Sequence, residues 1–411
     1  MLGFQDSITY FLQSIPFNLD YLPSGTYLVG GAVRDALLQR QRDYLDLDFV
    51  LPELAIEIAK KIANCYQAGF VVLDRKRQIA RVVFPQGTVD FALQEGNSLV
   101  KDLQRRDFTV NAIAYDPHTA ELFDPVGGLV DLKSRLLKMI SPANLVDDPL
   151  RLLRAYRQAA QLDFTIEAET RSTICQLAPL LGKIAAERVQ TELGYLLSHS
   201  RGNYWLEQAW QDGLLGIWFP SATTAKIKQV AAVDHVAELL LKIISIETEN
   251  PIDNIAAKIR EMAKLASLVA SDPEQAELEL INLKYSRSDI RGILTVLKYL
   301  PYLQSQTPSM SLREQYFFFL EVGSTLPVLV LLALVTNGDR DKIRLAIQRY
   351  YNLSDPVAHP QPLVTGHELL DRLKIRPGPN IGQLLTEIQI ARIEGKIATK
   401  EEALNLAESL C

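Results

Sequence analysis

Hydrophobic and polar residues alternate in the first hundred positions of the chain, which is the pattern of β-strands with one buried face. Leu45, Leu47 and Phe49 alternate with other residues and predict a strand whose apolar face points into a core. A strand, a glycine turn and a short helix are predicted just upstream, from residue 27 onward. Three more strand-like runs follow, at residues 69–74, 78–84 and 87–93.

Helical periodicity accounts for most of the remaining chain. Helices are predicted at residues 7–14 and 53–66, the second from apolar residues at helical spacing. After about residue 140 the strand patterns stop and leucine-rich helical periodicity takes over, which predicts a domain boundary and an α+β fold class. A proline-rich loop at residues 352–362 introduces a last set of short helices.

Asp46 and Asp48 occupy alternate positions of the first complete strand and therefore share its polar face. Two neighbouring carboxylates repel each other unless a cation lies between them, and magnesium takes one or two carboxylates together with substrate phosphates. The turn formed by Gly30 and Gly31 opens a helix, and the start of a helix offers free N–H groups to phosphate. With Arg34 on that helix, the combination predicts nucleotide chemistry.

Asp90 occupies a similar position in a later strand, between Val89 and Phe91. Two interpretations stay open. Asp90 either joins the aspartates of the first strand as a third carboxylate or is a strand residue that faces solvent.

Residues 103–115 combine charged residues with an apolar run that predicts a helix. Arg105, Arg106 and Asp107 precede the apolar residues. Asn111 lies four positions after Asp107 and therefore on the same face of the predicted helix. The arginines suit a triphosphate, and the aspartate suits ribose hydroxyls. The alternative is a solvated helix start with charged residues at its cap.

Asp148, Arg151 and Arg154 recur every three positions near a predicted helix start. An aspartate and an arginine held on a helix present acceptors and donors to the edge of a base. The alternative is a capping aspartate with helix salt bridges. Farther along, Arg188 and Glu192 are expected to form an i,i+4 pair that braces a helix.

Composition excludes several classes of protein. The 411-residue chain is 48% hydrophobic and 22% charged, as ordinary soluble proteins are. No transmembrane helix is expected, and the apolar run at residues 326–334 predicts a buried helix. Its three cysteines form no metal or redox motif and its start lacks a basic signal-peptide region, which favours the cytoplasm. Because the net charge is −6, any RNA binding must use local basic patches.

Joined together, the motifs resemble the bacterial-type (class II) tRNA nucleotidyltransferase and poly(A) polymerase family. The matching segments occur in family order, and they are GGAVRD with DLD, RRDFTVNAIA, DPVGG, DDPLRLLRAYR, AERVQTEL, TGHELLDRL, RPGPNIG and EGKIATKEEA. The resemblance implies a polymerase-beta-type nucleotidyltransferase head with a mixed sheet at residues 1–140. Three all-helical regions would follow it, namely a neck at 141–200, a body at 201–355 and a tail at 356–411.

The resemblance also implies an activity and its participants. Nucleotides from CTP or ATP would be added to the 3′ end of tRNA without a nucleic-acid template, with contacts to its acceptor stem and elbow. Asp46 and Asp48 would hold two Mg²⁺ ions, one to lower the pKa of the 3′ hydroxyl and one to neutralise the pyrophosphate. Asp90 is the third candidate catalytic residue. The implied nucleotide-binding residues are Gly30, Gly31, Arg34, Arg106, Asp107, Asn111, Asp148, Arg151 and Arg154. No membrane and no stable protein partner are inferred. Glu187 would hold the neck helices in place.

One segment predicts a narrower activity. Between Asp90 and the RRDFT motif the chain reads FALQEGNSLVKDLQ, a loop with one short helix. The resemblance implies that enzymes adding all of CCA carry a longer mobile segment here, which acts as a lever when the pocket changes from C to A. Since Asp148 and Arg151 must present two different patterns for C and A, a pinned segment this short predicts addition of the two C residues only.

Other activities remain as alternatives. They are full CCA addition or A addition, a poly(A) polymerase that extends generic RNA ends, and a non-catalytic RNA-binding relative. The tail motifs count against the poly(A) polymerase, and the intact Asp46 and Asp48 count against the non-catalytic relative.

Overall fold

A computed structural model describes residues 14–40, 44–199, 201–247, 253–304 and 310–410. The helix predicted at residues 7–14 lies outside this range, except for its last residue. The chain forms two compact units, one made of residues 1–196 and 208–214 and the other of residues 197–207 and 215–411. The four-region division into head, neck, body and tail stays a prediction.

The first unit is built on a seven-stranded mixed sheet in the order β3-β4-β5-β2-β1-β6-β7. Its strands are β1 (Tyr27–Val29), β2 (Leu45–Leu51), β3 (Gly69–Asp74), β4 (Ile79–Phe84), β5 (Gly87–Leu93), β6 (Ala114–Asp116) and β7 (Glu121–Phe123). The β2–β5 pair is parallel, and the other neighbouring pairs are antiparallel. Two short strands, β8 (Leu136–Leu137) and β9 (Thr165–Ile166), form a separate parallel pair. The sheet confirms the predicted α+β fold class, and β3, β4 and β5 confirm the three predicted strand runs.

Eight helices accompany these strands in the described residues up to position 198. They are α1 (Gly31–Leu37), α2 (Ala55–Tyr66), α3 (Leu99–Gln104), α4 (Gly128–Lys133), α5 (Pro142–Asp147), α6 (Leu150–Leu162), α7 (Ala168–Leu177) and α8 (Ala186–Ser198).

An aromatic cluster fills the core on one face of the sheet. The ring centroids of Phe49 and Phe91 lie 5.8 Å apart, and Phe17 lies 5.9 Å from Phe49. Phe49 and Phe91 are fully buried and directly opposed in the β2–β5 register. The apolar side of the alternating pattern in β2 therefore anchors the strand, and its other side is left for polar residues.

The helix predicted at residues 53–66 is confirmed by α2, which begins at Ala55 because Leu54 adopts a left-handed conformation with φ of 53°. One local prediction is wrong. The helix predicted in residues 103–115 is instead a single 3₁₀ turn, Thr109–Asn111, followed by β6. In a short apolar run, periodicity does not distinguish a buried strand from a buried helix.

The described part of the second unit is helical. The remaining helices of the chain are α9 (Gly202–Gln211), α10 (Thr224–Glu247), α11 (Asp253–Leu268), α12 (Pro273–Asn282), α13 (Arg287–Gln304), α14 (Leu312–Val322), α15 (Leu326–Val335), α16 (Arg340–Tyr351), α17 (Gly366–Leu373), α18 (Pro379–Ile393) and α19 (Lys400–Leu410). The last three helices share a small apolar core that includes Leu369, Leu384 and Ala403. These helices match the short helices predicted after the proline-rich loop.

One helical stretch of the second unit, Leu312–Val335, is long and apolar enough by composition to cross a membrane. It is a longer apolar stretch than the sequence pattern indicated. More than half of its most apolar window, 56%, is buried inside the protein, and Leu329 and Leu331 are fully buried. This burial is typical of a core helix and confirms the buried helix predicted at residues 326–334.

The parallel β2–β5 pair depends on a glycine. A Cβ atom on Gly87 would lie 2.5 Å from Cβ of Leu45, closer than side chains approach each other. We expect Gly87→Ala to destabilise the protein by about 1–3 kcal/mol, because the overlap must push β2 away from β5. Thermal unfolding of the full chain measures this effect.

The matched control is Gly382→Ala in α18, where an added Cβ meets no atom within 4 Å. This variant should be as stable as the natural chain or more stable by about 0.5–1 kcal/mol. If Gly87→Ala unfolded at the same temperature as Gly382→Ala, the close approach of the two strands would not be the constraint described here.

Candidate active site

The two aspartates of β2 lie on the face of the sheet opposite the aromatic core. The parallel register places Asp46 beside Thr88 and Asp48 beside Asp90 of β5. The hydroxyl of Thr88 donates a hydrogen bond of 3.1 Å to Oδ1 of Asp46. Three aspartates therefore share one surface of two neighbouring strands.

Asp90 belongs to this surface, but an arginine binds its carboxylate. Arg81 on β4 donates from Nε and Nη2 to the two carboxylate oxygens of Asp90, at 2.7 and 2.8 Å. Only 17% of the Asp90 side chain is exposed, so it is not a freely solvated strand residue. This bidentate pair partly neutralises Asp90 and sets it apart from Asp46 and Asp48. A catalytic role for Asp90 stays a prediction.

The glycine turn before α1 lies against the β2 aspartates. Gly30 has a φ of +75°, a left-handed conformation that favours glycine. A Cβ atom there would lie 3.0 Å from Nη1 of Arg106 and 3.6 Å from Oδ2 of Asp48. Gly31 follows as the first residue of α1, where a Cβ atom would lie 3.5 Å from Nη2 of Arg34. The turn, an arginine and a carboxylate therefore meet at one point.

This arrangement places Asp48 in a desolvated position beside other negative charges. Burial raises the pKa of Asp48 from 3.8 to about 6. The charges of Asp46 and Asp90 also raise this pKa, whereas the charges of Arg106 and Arg81 lower it. The site therefore holds negative charge that its own arginines do not fully compensate, which is the condition that favours a bound cation.

The donor set fits a magnesium ion that shares its coordination with a substrate. Within the described ranges, no group of three or more His, Cys, Asp or Glu side chains is arranged to hold a metal by itself. Magnesium is usually bound by one or two carboxylates, waters and substrate phosphates. Asp46 and Asp48 supply a carboxylate pair of that kind.

A buried aspartate of α3 holds both arginines of the RRD motif. Asp102 is fully buried and accepts hydrogen bonds from Arg105 at 2.9 Å and from Arg106 at 3.1 Å. Burial by itself would raise the pKa of Asp102, but the charges of the two arginines outweigh it and lower the pKa. Asp102 also accepts from the backbone N–H of Glu95 at 3.3 Å, and the Glu95 side chain pairs with Arg105 at 2.6 Å. These contacts pin the short segment between β5 and the arginines.

Asp107 lies at the centre of a buried hydrogen-bond network. Its Oδ1 accepts from Nδ2 of Asn111 and from the backbone N–H of Phe108, both at 2.8 Å. Its Oδ2 accepts from Nε of Arg154 at 3.1 Å and from Nε2 of Gln158 at 3.3 Å. Burial by itself would raise the pKa of Asp107, but the charge of Arg154 and the hydrogen bonds hold it at about 2. The predicted contact of Asp107 with a ribose stays a prediction.

Gln158 of α6 is a site residue that sequence patterns do not reveal. Its Oε1 accepts from Asn111 at 2.9 Å and from Nη1 of Arg34 at 3.4 Å. Nη1 of Arg34 also donates to Oδ1 of Asn111 at 2.6 Å. Arg34 and Asn111 therefore belong to a buried network with α6, and their predicted nucleotide contacts stay predictions. A glutamine on a helix gives no signal of such a role, because only the tertiary fold brings its partners together.

Residues outside α6 contact the side chains of both Asp148 and Arg151. Asp148 lies in an extended conformation between α5 and α6, and Nη1 and Nη2 of Arg188 donate to its two oxygens at 3.1 and 2.8 Å. Nη1 of Arg151 donates to the backbone carbonyl oxygens of Arg105 and Asn144, at 2.8 and 2.9 Å.

The predicted i,i+4 pair on α8 is wrong. Arg188 turns to the carboxylate of Asp148, and Glu192 is bound by Arg157 and by Arg154, the latter at 3.5 Å. The spacing permits an i,i+4 pair, but tertiary partners take both side chains. Glu187 is exposed, and its expected role in holding the neck helices stays a prediction. Glu192 joins α8 to α6 through Arg154 and Arg157.

A cleft of about 370 Å³ is lined by many of these side chains. Seven predicted site residues line it, namely Asp48, Asp90, Arg106, Asp107, Asp148, Arg151 and Arg154. A nucleoside triphosphate carries anionic phosphates and a hydrogen-bonding base edge. The cleft offers a carboxylate surface, several arginine donors and a separate aspartate–arginine pair, so it matches both ends of such a molecule.

Three domain families match this chain. A poly A polymerase head domain matches residues 26–138, and a probable RNA- and SrmB-binding site of polymerase A matches residues 163–226. A putative tRNA nucleotidyltransferase domain 2 matches residues 255–407.

Relatives with known activities cover nearly the whole chain. A CC-adding tRNA nucleotidyltransferase from Synechocystis sp. is 51% identical over 401 residues, which are 97% of this chain and 96% of the relative. An A-adding tRNA nucleotidyltransferase from Deinococcus radiodurans is 32% identical across 93% of this chain and 94% of the relative. A solved structure of a Thermotoga maritima CCA-adding enzyme complexed with tRNA is similar with a TM-score of 0.65 and 26% identity, over 94% of this chain and 91% of that one.

The desolvated charge of Asp48 generates a prediction about stability. Because the pKa of Asp48 rises from 3.8 to about 6 on folding, the folded chain binds more protons than the unfolded chain between these pH values. The ionised carboxylate therefore destabilises the metal-free protein increasingly as the pH rises through this window. We expect Asp48→Asn to stabilise chelator-treated protein at pH 8, by at most about 3 kcal/mol in free energy of unfolding, and therefore to raise its unfolding temperature. This stabilisation should shrink as the pH falls toward 4.

Thermal unfolding between pH 4 and pH 8 measures this gain, and Asp341→Asn is the control because that side chain is 88% exposed. The control should show no pH-dependent gain. A lower unfolding temperature of Asp48→Asn at pH 8 would mean that partners stabilise the ionised carboxylate, contrary to this interpretation.

Proposed function

The chain belongs to the tRNA nucleotidyltransferase family, and we propose that it adds C residues from CTP to the 3′ end of tRNA without a nucleic-acid template, with release of pyrophosphate. The observation that carries the proposal is the cleft that joins Asp48 of β2 to Arg106 and to Asp148 and Arg151. One end of this cleft suits the reacting phosphates, and the other end suits the base that is to be added.

At the phosphate end, the chain supplies a carboxylate pair and an oriented arginine. Asp46 and Asp48 would hold two magnesium ions, which when bound lower the pKa of the tRNA 3′ hydroxyl and neutralise charge on the triphosphate. Arg106 would bind a phosphate oxygen beside the Gly30 turn, because Asp102 keeps its guanidinium in place. The protein positions the reacting groups and supplies charge, which is most of what this class of reaction requires.

At the base end, Asp148 and Arg151 take the place of a template. Cytosine presents an amino group and two acceptors, N3 and O2, along its pairing edge. Asp148 would accept from the amino group and Arg151 would donate to the acceptors, which is worth about 1–3 kcal/mol of discrimination. Uracil presents a carbonyl oxygen where cytosine has the amino group, so it would leave the Asp148 carboxylate facing another acceptor.

The pinned segment between β5 and Arg106 supports addition of C residues only. Its two ends are tied through Asp102, which binds Arg105, Arg106 and the backbone of Glu95. A segment held at both ends has little freedom to move Arg106, Asp148 or Arg151 between one arrangement for C and another for A. Relatives named CC-adding and A-adding support such a restriction, although other relatives are named CCA-adding enzymes. Addition of the final A would then belong to another enzyme.

Product length distinguishes this proposal from its alternatives. Given a tRNA that lacks its 3′ CCA, together with CTP and ATP, the enzyme is expected to stop after two C residues. Given a tRNA that already ends in CC, together with ATP alone, it is expected to add nothing. Denaturing gel electrophoresis of labelled tRNA measures both products at single-nucleotide resolution.

An unstructured RNA in the same assay is the control for substrate class. Efficient conversion of CC ends to CCA would reject the restriction to C. Extension of the unstructured RNA with ATP would point to a poly(A) polymerase, and no incorporation of any nucleotide would reject an enzyme altogether.

The β2 carboxylates should be essential for the reaction. We expect Asp46→Asn and Asp48→Asn each to lower C incorporation by roughly a thousandfold or more, because the loss of a metal ligand removes several kcal/mol of transition-state stabilisation. Binding of tRNA should be unchanged, since neither side chain packs in the core. Single-turnover incorporation and filter binding measure the two quantities.

Asp163→Asn provides a matched control in the same unit, at a side chain that is 57% exposed and lies 3.6 Å from Arg135. It should retain full incorporation. Turnover of Asp46→Asn or Asp48→Asn close to that of the control would remove these carboxylates from the catalytic site.

A further inference from the structure

Arg188 makes a bidentate ion pair with the carboxylate that is proposed to recognise the base. Its Nη1 and Nη2 reach Oδ1 and Oδ2 of Asp148 at 3.1 and 2.8 Å. Arg188 lies at the start of α8, and Asp148 lies before α6, so the contact is tertiary and joins two separate elements. It does not depend on helix spacing.

The pair leaves Asp148 able to accept further hydrogen bonds. A carboxylate offers about four lone-pair sites on its two oxygens, and a bidentate guanidinium occupies two of them. Oδ1 also accepts the backbone N–H of Leu150 at 3.4 Å, so the acceptor site that remains lies on Oδ2. The plane of the Arg188 guanidinium sets the direction of this site, while Arg188 does not line the cleft itself.

Arg151, the other residue proposed to recognise the base, is also held by contacts within the protein. One nitrogen of Arg151 donates to two backbone carbonyl oxygens, those of Arg105 and Asn144. An acceptor and a donor are thus both held by contacts outside the base. Groups that are held in this manner discriminate by position as well as by chemical type.

Position is what separates cytosine from adenine. Both bases present an amino group next to a ring nitrogen acceptor, so a mobile aspartate–arginine pair would accept either base. The amino group of adenine projects from a two-ring base and reaches a different place when the sugar and phosphates stay fixed. An aspartate that rotates freely follows this displacement, and one that is clamped by an arginine does not.

We propose that Arg188 is a specificity-determining positioning residue that holds Asp148 in the orientation that accepts cytosine and rejects adenine. This inference rests on the proposed C-adding function. It assigns part of the restriction to C to α8, in addition to the short segment between β5 and Arg106.

The Arg188–Asp148 pair contributes little to folding. Half of the Arg188 side chain is exposed, and exposed ion pairs typically contribute little to stability because solvent screens them. Variants at position 188 are therefore expected to fold, which makes their nucleotide preference measurable. Unchanged thermal unfolding confirms this condition for each variant.

The test compares Arg188→Gln and Arg188→Lys in the full chain. For each variant, kcat/KM is measured for CTP and for ATP with a tRNA that lacks its 3′ CCA. We expect Arg188→Gln to lower the CTP-over-ATP ratio by about tenfold or more, through faster use of ATP relative to CTP. Arg188→Lys should fall between the natural chain and Arg188→Gln, because lysine keeps the charge but not the bidentate geometry.

Two further measurements separate positioning from a general structural effect. Inhibition by inorganic tripolyphosphate probes the phosphate end of the cleft and should be unchanged in both variants. Arg313→Gln is the matched control, because Arg313 makes a bidentate pair with Glu387 at 2.9 and 2.6 Å and has a similar exposure of 47%. Its nucleotide ratio should equal that of the natural chain.

Two results would overturn the inference. One is a CTP-over-ATP ratio in Arg188→Gln equal to that of the natural chain. The other is an equal loss for CTP and ATP, which would mark Arg188 as a merely structural residue. Failure of the natural chain to incorporate C would instead reject the proposed function. In that case, the role of Arg188 is still tested by equilibrium binding. The ratio of the Kd values for CTP and ATP is measured in the natural chain and in Arg188→Gln, and the two ratios are compared.

Discussion

The catalytic unit depends on the buried, ionised carboxylate of Asp107. It accepts four hydrogen bonds, two from its own turn and two from Arg154 and Gln158 of α6. A buried charge is strongly unfavourable unless it is paired and hydrogen-bonded, so the turn and the helix are each stable in this position only with the other present. Since α6 begins just after Asp148 and carries Arg151, the positions of both residues depend on the Asp107 carboxylate.

Asp107 and Asp48 line the same cleft, but their pKa values are shifted in opposite directions. Asp107 has a directly bonded arginine and amide donors, and its pKa is about 2. Asp48 is desolvated by burial and has other carboxylates as neighbours, and together these raise its pKa to about 6. The charge of Asp107 is satisfied within the protein, whereas the charge of Asp48 is the one that the proposed magnesium ions would compensate. Such a contrast is typical of a structural residue beside a candidate ligand-binding residue.

The strand alternation of β2 predicted both the buried aromatic face and the shared face of Asp46 and Asp48, because a period of two allows only one arrangement of neighbours. The residues after Arg106 were assigned the wrong element, since a short apolar run fits a buried helix and a buried strand equally well. Arg188 was assigned the wrong partner, because helix spacing shows which residues are able to meet and not which tertiary competitor is closer.

Gln158 and Asp102 were missed for a related reason. Neither residue belongs to a recognisable motif, and a polar residue on a helix is usually solvated. Gln158 is buried beside charged groups that are distant in sequence, and Asp102 is buried beside two arginines that follow it closely in the chain. Motifs therefore identified the groups at the surface of the cleft, while the groups that hold them in place were visible only in the fold.

The contacts of Asp102 also limit how this sequence can evolve. Its two oxygens serve two arginines and a backbone N–H, so an insertion that separates any of these partners leaves a buried charge without its full complement of bonds. A longer segment at this point becomes tolerable only when the aspartate and its partners change with it. We therefore expect these residues to evolve together, because an insertion without matching substitutions would lower the stability of the fold.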